Sequence, residues 1–352
     1  MNSLPLKARG ATLNPANRFQ PIEIEWEDDL AEENQPDTRT RFFVDSAQTL
    51  ITTNDSPDIP FTHSVNPYRG CEHGCVYCYA RPTHEYFGYS SGLDFESVIF
   101  VKTRAPELLR SELKRERHHR EPLVFSGVTD CYQPAERHFQ LTRQCLEVLE
   151  EHQHAASLIT KSRLITRDLD LLAPMAERRQ VSVAISLTTL DPALARRLEP
   201  RAALPEARLD AIRQLSQAGV PCGVMTAPII PGLNDHEIPG LLDAARQAGA
   251  SYAGWVLLRL PHAVKDLFTD WLQQHFPDRE QKVMNAIRET RAGKLSNAQF
   301  GSRMRGEGAS AARIQQLFEV AKRRAGFREW HEPLDCSRFR IPGAESQLEL
   351  FA

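Results

Sequence analysis

The sequence predicts an α/β protein built as a partial (β/α)6 barrel, with an N-terminal arm before it and a helical C-terminal cap after it. Three observations predict this. From about Ser64 to Leu260, short runs rich in Val, Ile and Leu alternate with longer segments of helical period. The runs are nearly continuously apolar, as strands buried on both faces are, so the sheet should be mostly parallel and covered by helices. About six β/α units can be found, too few for a full eight-stranded barrel, yet right-handed crossovers still curl such a sheet.

Residues 1–60 are polar and weakly periodic, acidic around "EWEDDLAEENQPD", and read as an extended arm that wraps a core without forming one. Residues 61–262 hold the core. Its strands are expected near "THSVNPY", then at "LVFSGV" (123–128), "ASLITK" (156–161), "VSVAISL" (181–187), "PCGVMTA" (221–227) and "AGWVLLRL" (253–260). The intervening helices are "HFQLTRQCLEVLEEH", "ITRDLDLLAPMAERR", "PEARLDAIRQLSQAG" and "HEIPGLLDAARQAG", the last two stopping at Gly219 and Gly249. In residues 263–352 the strands cease. "DLFTDWLQQHF", "REQKVMNAIRETR" and "ARIQQLFEVAKRRAGF" make a helical cap appended to the core, not an independent domain.

The chain has 352 residues, 41% hydrophobic and 25% charged, with a formal net charge of −3. That balance gives no overall pull toward nucleic acid or membrane, so any such attraction must be local. The seven cysteines are an odd number, and three of them crowd positions 71 to 78. A secreted disulfide framework would be denser and more regular. The start, "MNSLPLKARG", lacks an apolar signal core, and no stretch approaches the roughly 18 apolar residues of a membrane span, which together predict a cytoplasmic protein without a membrane partner.

"RGCEHGCVYCYA" places Cys71, Cys75 and Cys78 in the loop expected to leave the carboxyl end of the first strand, where active sites of barrel-like sheets collect. Gly70 and Gly74 permit the positive φ angles that let a loop wrap a compact inorganic core. One alternative is a structural zinc site completed by His73 or His84. Zinc motifs usually pair two short knuckles, however, and this spacing is a single asymmetric C-x3-C-x2-C. A [4Fe–4S] cluster held by three cysteines instead keeps one iron open for chemistry.

With Tyr77 just before the last cysteine, the motif resembles that of the radical SAM superfamily. "NPYRGCEHGCVYCYARPTHEY", "SGVTDCYQPAE", "ITKS", "ISLTTLD", "LEPRA" and "APIIPGLND" are similar to bacterial radical SAM proteins related to spore photoproduct lyase, a photolyase-like subgroup. The resemblance implies the TIM-like partial barrel of that superfamily, a [4Fe–4S] cluster, and S-adenosylmethionine chelating the open iron through its amino and carboxylate groups. It further implies an electron donor such as flavodoxin or ferredoxin, and reductive cleavage to methionine and a 5′-deoxyadenosyl radical that abstracts a substrate hydrogen.

On this resemblance Thr129 and Asp130, closing the second strand, meet the methionine end of the cofactor, Asp130 through the α-amino group; alternatively Asp130 caps a turn. Lys161 closes the third strand and suits the cofactor carboxylate, unless it points to solvent. Ser186 and Thr188 are placed at the ribose hydroxyls. Glu199 and Arg201 are placed beside the cofactor, with an ordinary surface ion pair as the competing view. Ile229 and Ile230, with Tyr77, are expected to pack on adenine, and Gly232 to allow close approach. Cys131 and Cys336 are candidate hydrogen donors or radical relays, although the lyase's cysteine has no equivalent inside "SGVTD".

Two stretches are locally basic. "RAPELLRSELKRERHHR" reads as a solvated helix face. Residues 301–328 carry seven basic and two acidic residues and could hold a phosphate backbone or form a solvated cap helix. The substrate classes considered are thus a nucleic acid, as in DNA repair, or a protein or small metabolite. The non-catalytic alternative is a zinc-stabilised binding protein.

Overall fold

The computed structural model describes residues 8–19, 39–115, 121–327 and 333–342; the acidic stretch 25–37 and residues 116–120 lie outside these. Along the chain, β1 (Arg41–Val44) and β2 (Ile51–Thr53) lead into β3 (His63–Val65) and β4 (Tyr68–Arg69). After the cysteine loop and a 3-10 helix at Arg81–Phe87 come α1 (Asp94–Ser97), β5 (Val98–Val101) and α2 (Ala105–Leu113). The repeating part follows: β6 (Leu123–Phe125), α3 (Glu136–Phe139), α4 (Leu141–His152), β7 (Ala156–Thr160), α5 (Leu169–Glu177) and β8 (Val181–Ser186). It continues with α6 (Pro192–Leu198), α7 (Pro205–Gln217), β9 (Cys222–Ile229), α8 (Ile238–Gln247) and β10 (Tyr252–Leu257). The tail supplies α9 (Val264–His275), α10 (Glu280–Glu289), α11 (Ser302–Arg305) and α12 (Gly308–Arg324).

All six expected strands form, and they lie in chain order in one sheet, β3-β6-β7-β8-β9-β10, each parallel to its neighbours. This is the sheet of a partial barrel. β8 is buried at all six positions, as a strand covered on both faces must be. Leu158, Val183 and Val224 of the sheet share the main core with Leu146 of α4, Ile212 of α7 and Leu242 of α8.

The structure also contains strands that periodicity does not reveal. β2 adds an antiparallel edge to β3, and β1, β5 and β4 form a second, three-stranded sheet. These strands are two to four residues long, too short to show a period. They tie the arm to the segment that carries the cysteines.

The tail divides into two parts. α9 and α10 contribute Phe268, Trp271, Val283 and Ile287 to a second core with Val76 and Tyr77 of the cysteine loop. α12 packs along α8 and sends Ile314, Phe318 and Ala321 into the main core, with Phe318 against Trp255 of β10. It therefore serves as the helix that follows the last strand. Its first turn lies at the carboxyl end of β10, where Glu307 N–H donates to Thr290 O (3.0 Å) and a methyl at Gly306 would meet Leu257. Seventeen residues at about 1.5 Å each carry Lys322, Arg323 and Arg324 roughly 25 Å toward the opposite pole. Of the described basic residues in the stretch 301–328, Arg303 and Arg305 are thus placed near that mouth. Among the described residues no helix is long and apolar enough to cross a membrane.

Candidate active site

The three cysteines converge at the carboxyl end of the sheet. Cys71 and Cys75 are buried, and Cys78 is half-buried and packs against both. Burial, with Asp130 and then the two neighbouring thiols, pushes the Cys71 thiol well above its ordinary pKa. Burial likewise raises Cys75 and Cys78. Gly70 and Gly74 both adopt positive φ, 77° and 66°, and a methyl on Gly70 would approach Val98 O at 2.8 Å. The two glycines let the loop turn tightly against β5, as the spacing suggests.

A buried ion pair, invisible to motif reading, clamps this loop. Arg81, three residues after Cys78, donates Nε to Cys75 O (2.9 Å) and Nη1 to Gly92 O (2.8 Å), and pairs through Nη2 with Glu96. Glu96 also accepts the backbone N–H groups of Gly10 (3.0 Å) and Ala11 (2.8 Å), while Arg9 Nη1 donates to its carbonyl (2.7 Å). Gly10 lies so close that a methyl there would collide with Gly74 O. The arm is therefore part of the wall around the cysteines.

On the sheet side stands a second buried network. Glu199, just after α6, accepts from Arg208 Nη2, Tyr77 OH and Thr188 Oγ1. Arg208 further donates to Ala203 O (2.7 Å) and Ser186 O (3.0 Å). Burial works to raise the Glu199 pKa, but Arg208 and Lys161 hold it at about 2. Lys161 closes β7 as expected. Burial pulls its pKa down, yet the Cys75 thiol and Glu199 outweigh that and raise it. Its ammonium makes no hydrogen bond among the described residues, so it remains available to a ligand.

Other expected site residues are already committed within the protein. Asp130 Oδ1 accepts from Thr160 Oγ1 (2.7 Å) and Tyr132 N–H (2.9 Å), Oδ2 accepts from Lys161 N–H (2.8 Å), and His73 Nδ1 lies 3.3 Å away. Burial acts to raise its pKa, but His73 and these donors bring it to about 2. Asp130 thus caps a turn and joins the ends of β6 and β7. Thr129 Oγ1 donates to Tyr68 O (2.7 Å). Arg201 leans away from the sheet to Glu72 (2.8 Å) and Thr40 (3.0 Å), facing a cavity of about 530 Å³ beneath the arm. Ile229 and Ile230 are packed in the main and second cores, and Gly232 faces α10, near Val283 and Ala286. Ser186, buried at the end of β8, lends its carbonyl to Arg208.

The two candidate hydrogen donors lie in different places. Cys131 is fully buried in the main core and follows Asp130, which acts on both its thiol and that of Cys71. Cys336 belongs to a segment docked at the amino-terminal ends of β7 and β8, where Asp335 N–H donates to Arg179 O (2.8 Å) and Arg340 N–H to His152 O (2.9 Å). The five residues of β7, at about 3.3 Å each, separate that pole from Lys161 by roughly 16 Å. Cys336 is therefore on the wrong side of the sheet to donate hydrogen there. The residue beside the cysteines that does face out is Tyr79, 45% exposed, its hydroxyl donating to Gly127 O (2.7 Å).

The residues fit an anionic iron–sulfur cluster. Lys161 and Arg208 act on Cys75, and Arg81 and Lys161 act on Cys78, each lowering the thiol pKa against burial. Thiolates carrying a cluster so deep in the protein need such compensation. Of the two histidines weighed for a zinc site, His84 sits among Tyr89, Phe95 and Phe100, and His73 beside Asp130. Among the described residues no group of three or more His, Cys, Asp or Glu is spaced to grip a single ion. A cluster spreads its three cysteines over three irons and needs no such tight group.

Comparisons with known proteins agree with this geometry. Residues 65–245 match the family model described as the radical SAM superfamily. An uncharacterized protein of Mycobacterium tuberculosis is 39% identical over 222 residues, 62% of this chain and 65% of that protein. One of Methanocaldococcus jannaschii is 28% identical over 221 residues, 63% of this chain and 79% of that protein. The alignment thus spans just under two thirds of the mycobacterial relative's length. Among solved structures, spore photoproduct lyase with bound AdoMet and dinucleoside spore photoproduct superposes with a TM-score of 0.60 at 15% identity, over 88% of this chain and 86% of that one.

Proposed function

This chain belongs to the radical SAM superfamily, whose members use a [4Fe–4S] cluster and S-adenosylmethionine, and we propose that it directs that chemistry at a nucleic acid. Bound at Cys71, Cys75 and Cys78, the cluster and S-adenosylmethionine supply reductive cleavage of the sulfonium and a carbon radical that abstracts hydrogen, the electron coming from a donor such as flavodoxin or ferredoxin. The observation that carries the radical chemistry is the convergence of three thiols, two buried and one half-buried, with Lys161, Arg208 and Arg81 set against the charge of Cys75 and Cys78. Lys161 is the side chain free to hold the cofactor carboxylate. Tyr77 and Thr188 fix Glu199, which in turn positions Lys161 by charge. The arm, through Gly10 and Glu96, closes the far side of the loop against water.

The nucleic-acid reading is supported by the fold shared with a lyase that holds a dinucleoside photoproduct and by the arginines near the mouth of the sheet. The test uses anaerobically reconstituted, reduced protein given S-adenosylmethionine, with ultraviolet-irradiated or untreated thymidine oligonucleotide or with a peptide library. The proposal expects formation of 5′-deoxyadenosine to rise with oligonucleotide and label from deuterated oligonucleotide to appear in it. Stimulation and label transfer from peptides alone would point to a protein substrate and overturn the nucleic-acid reading.

A further inference from the structure

The mouth of the barrel at the carboxyl end of β10 carries more positive charge than its own residues balance. Arg259, two residues beyond β10, lies with its guanidinium 5.2 Å from the centre of the Tyr79 ring, immediately after the last cysteine of the loop. Its hydrogen bond runs from Nη1 to Met304 Sδ at 3.7 Å, a weak acceptor, and no carboxylate pairs with it among the described residues. Behind it Arg291 is 1% exposed. Arg291 spends Nη1 on Ser302 O and Nη2 on Leu258 O, both at 2.7 Å, and leaves Nε buried without a partner. Both acceptors are neutral, and among the described residues Arg291 makes no salt bridge, Glu307 acting on it only through its charge.

A third arginine shows what a satisfied guanidinium looks like here. Arg303 is bidentate to Asp58, which also accepts Gly301 N–H (3.0 Å), and this grip holds α11 at the mouth. Asp58 is thus hydrogen-bonded to Arg303, and its charge reaches Arg259 only at a distance. Burial and the neighbouring guanidiniums lower the pKa of Arg259, and that of Arg291 to about 10, as expected of cations crowded together. Uncompensated buried charge is costly, and arginine forks so placed suit a planar or tetrahedral oxyanion.

We propose that Arg259, backed by Arg291 and flanked by Tyr79, receives an oxyanion of the substrate and so fixes the adjoining part of that molecule beside the cysteine loop. This deepens the nucleic-acid reading, in which the oxyanion is a backbone phosphate, but the site is defined by charge and does not depend on that source. Tyr79 offers an exposed aromatic face next to the anion. Arg303 and Asp58 set the position of Met304 and the rim.

The test titrates reconstituted holoprotein, with S-adenosylmethionine present, with three probes: inorganic pyrophosphate, thymidylyl-thymidine and a phosphoserine tripeptide. Binding is followed by calorimetry for wild type, Arg259→Ala, Arg259→Lys and Arg313→Ala, an exposed arginine of α12. Iron content equal to wild type identifies variants that have folded. The proposal expects Arg259→Ala to weaken the phosphate-bearing probes about ten- to a hundredfold, the loss of a charged hydrogen-bonding partner. Arg259→Lys, which keeps charge but loses the fork and preserves a fold if alanine does not, should fall between, and Arg313→Ala should match wild type. Preference for thymidylyl-thymidine supports both the site and the nucleic-acid reading. Preference for the phosphopeptide supports the site and overturns that reading. Probes that fail to bind wild type, or that bind both Arg259 variants as tightly as wild type, overturn the site itself.

Discussion

Alanine at Cys71, Cys75 or Cys78 is expected to reduce iron from about four per chain to near zero after anaerobic reconstitution, and to abolish S-adenosylmethionine cleavage with it. Cys71 and Cys75 are buried and Cys78 half-buried, close enough together for Cys75 and Cys78 to perturb the ionisation of Cys71, so none is readily replaced by solvent or by a neighbouring side chain. Of the nearby histidines, His73 lies beside Asp130 and His84 among aromatic rings. Iron and sulfide analysis with visible absorbance checks the loss. Cys131→Ala and Cys336→Ala provide the contrast, because one lies in the main core and the other at the opposite pole; both should retain iron. Full iron in any of the three loop variants would contradict the ligand assignment.

The second large effect is expected at Glu96. Glu96→Gln leaves the Arg81 guanidinium buried without its counter-charge and weakens the acceptor that holds Gly10 and Ala11. Breaking a buried pair on one side costs about 3–5 kcal/mol, a large fraction of a domain's stability. Because Arg81 also holds the carbonyl of Cys75, the loss should reach the loop, and reconstituted protein should shed iron faster than wild type. A lowered urea midpoint together with faster iron loss to a chelator is the expected outcome. An unchanged midpoint would show that the clamp contributes little.

The parts legible in the sequence share a physical reason. Six strands declare themselves because burial on both faces forces continuous apolar runs, and the loop declares itself because three thiols at fixed spacing have few uses. Lys161 stood out as a cation closing an apolar strand. What stayed hidden depends on partners distant in sequence. Glu96 meets Gly10 across 86 residues and Arg81 across 15, and no local period encodes either meeting. Arg208 could have been found. It occupies the apolar face of α7 at i, with Ala211, Ile212 and Leu215 at i+3, i+4 and i+7, and a charge on that face signals a buried partner. Asp130 shows both of its expected faces at once: it stands at a strand end, and the turn chemistry of aspartate gives it its neighbours' N–H groups. The layout of the basic tail was likewise not legible, since one helix of 17 residues spreads its charges from the mouth toward the far pole.

The central claim is that three cysteines hold a cluster whose remaining iron is open to S-adenosylmethionine. Mössbauer spectroscopy of protein reconstituted with iron-57, recorded with and without S-adenosylmethionine, tests it directly. The account predicts that one iron of the cluster changes its spectrum when the cofactor is added while the other three do not, and that Lys161→Ala requires about ten- to a hundredfold more cofactor for the same change, as loss of a charged hydrogen bond should. A spectrum in which no iron responds to S-adenosylmethionine would contradict it.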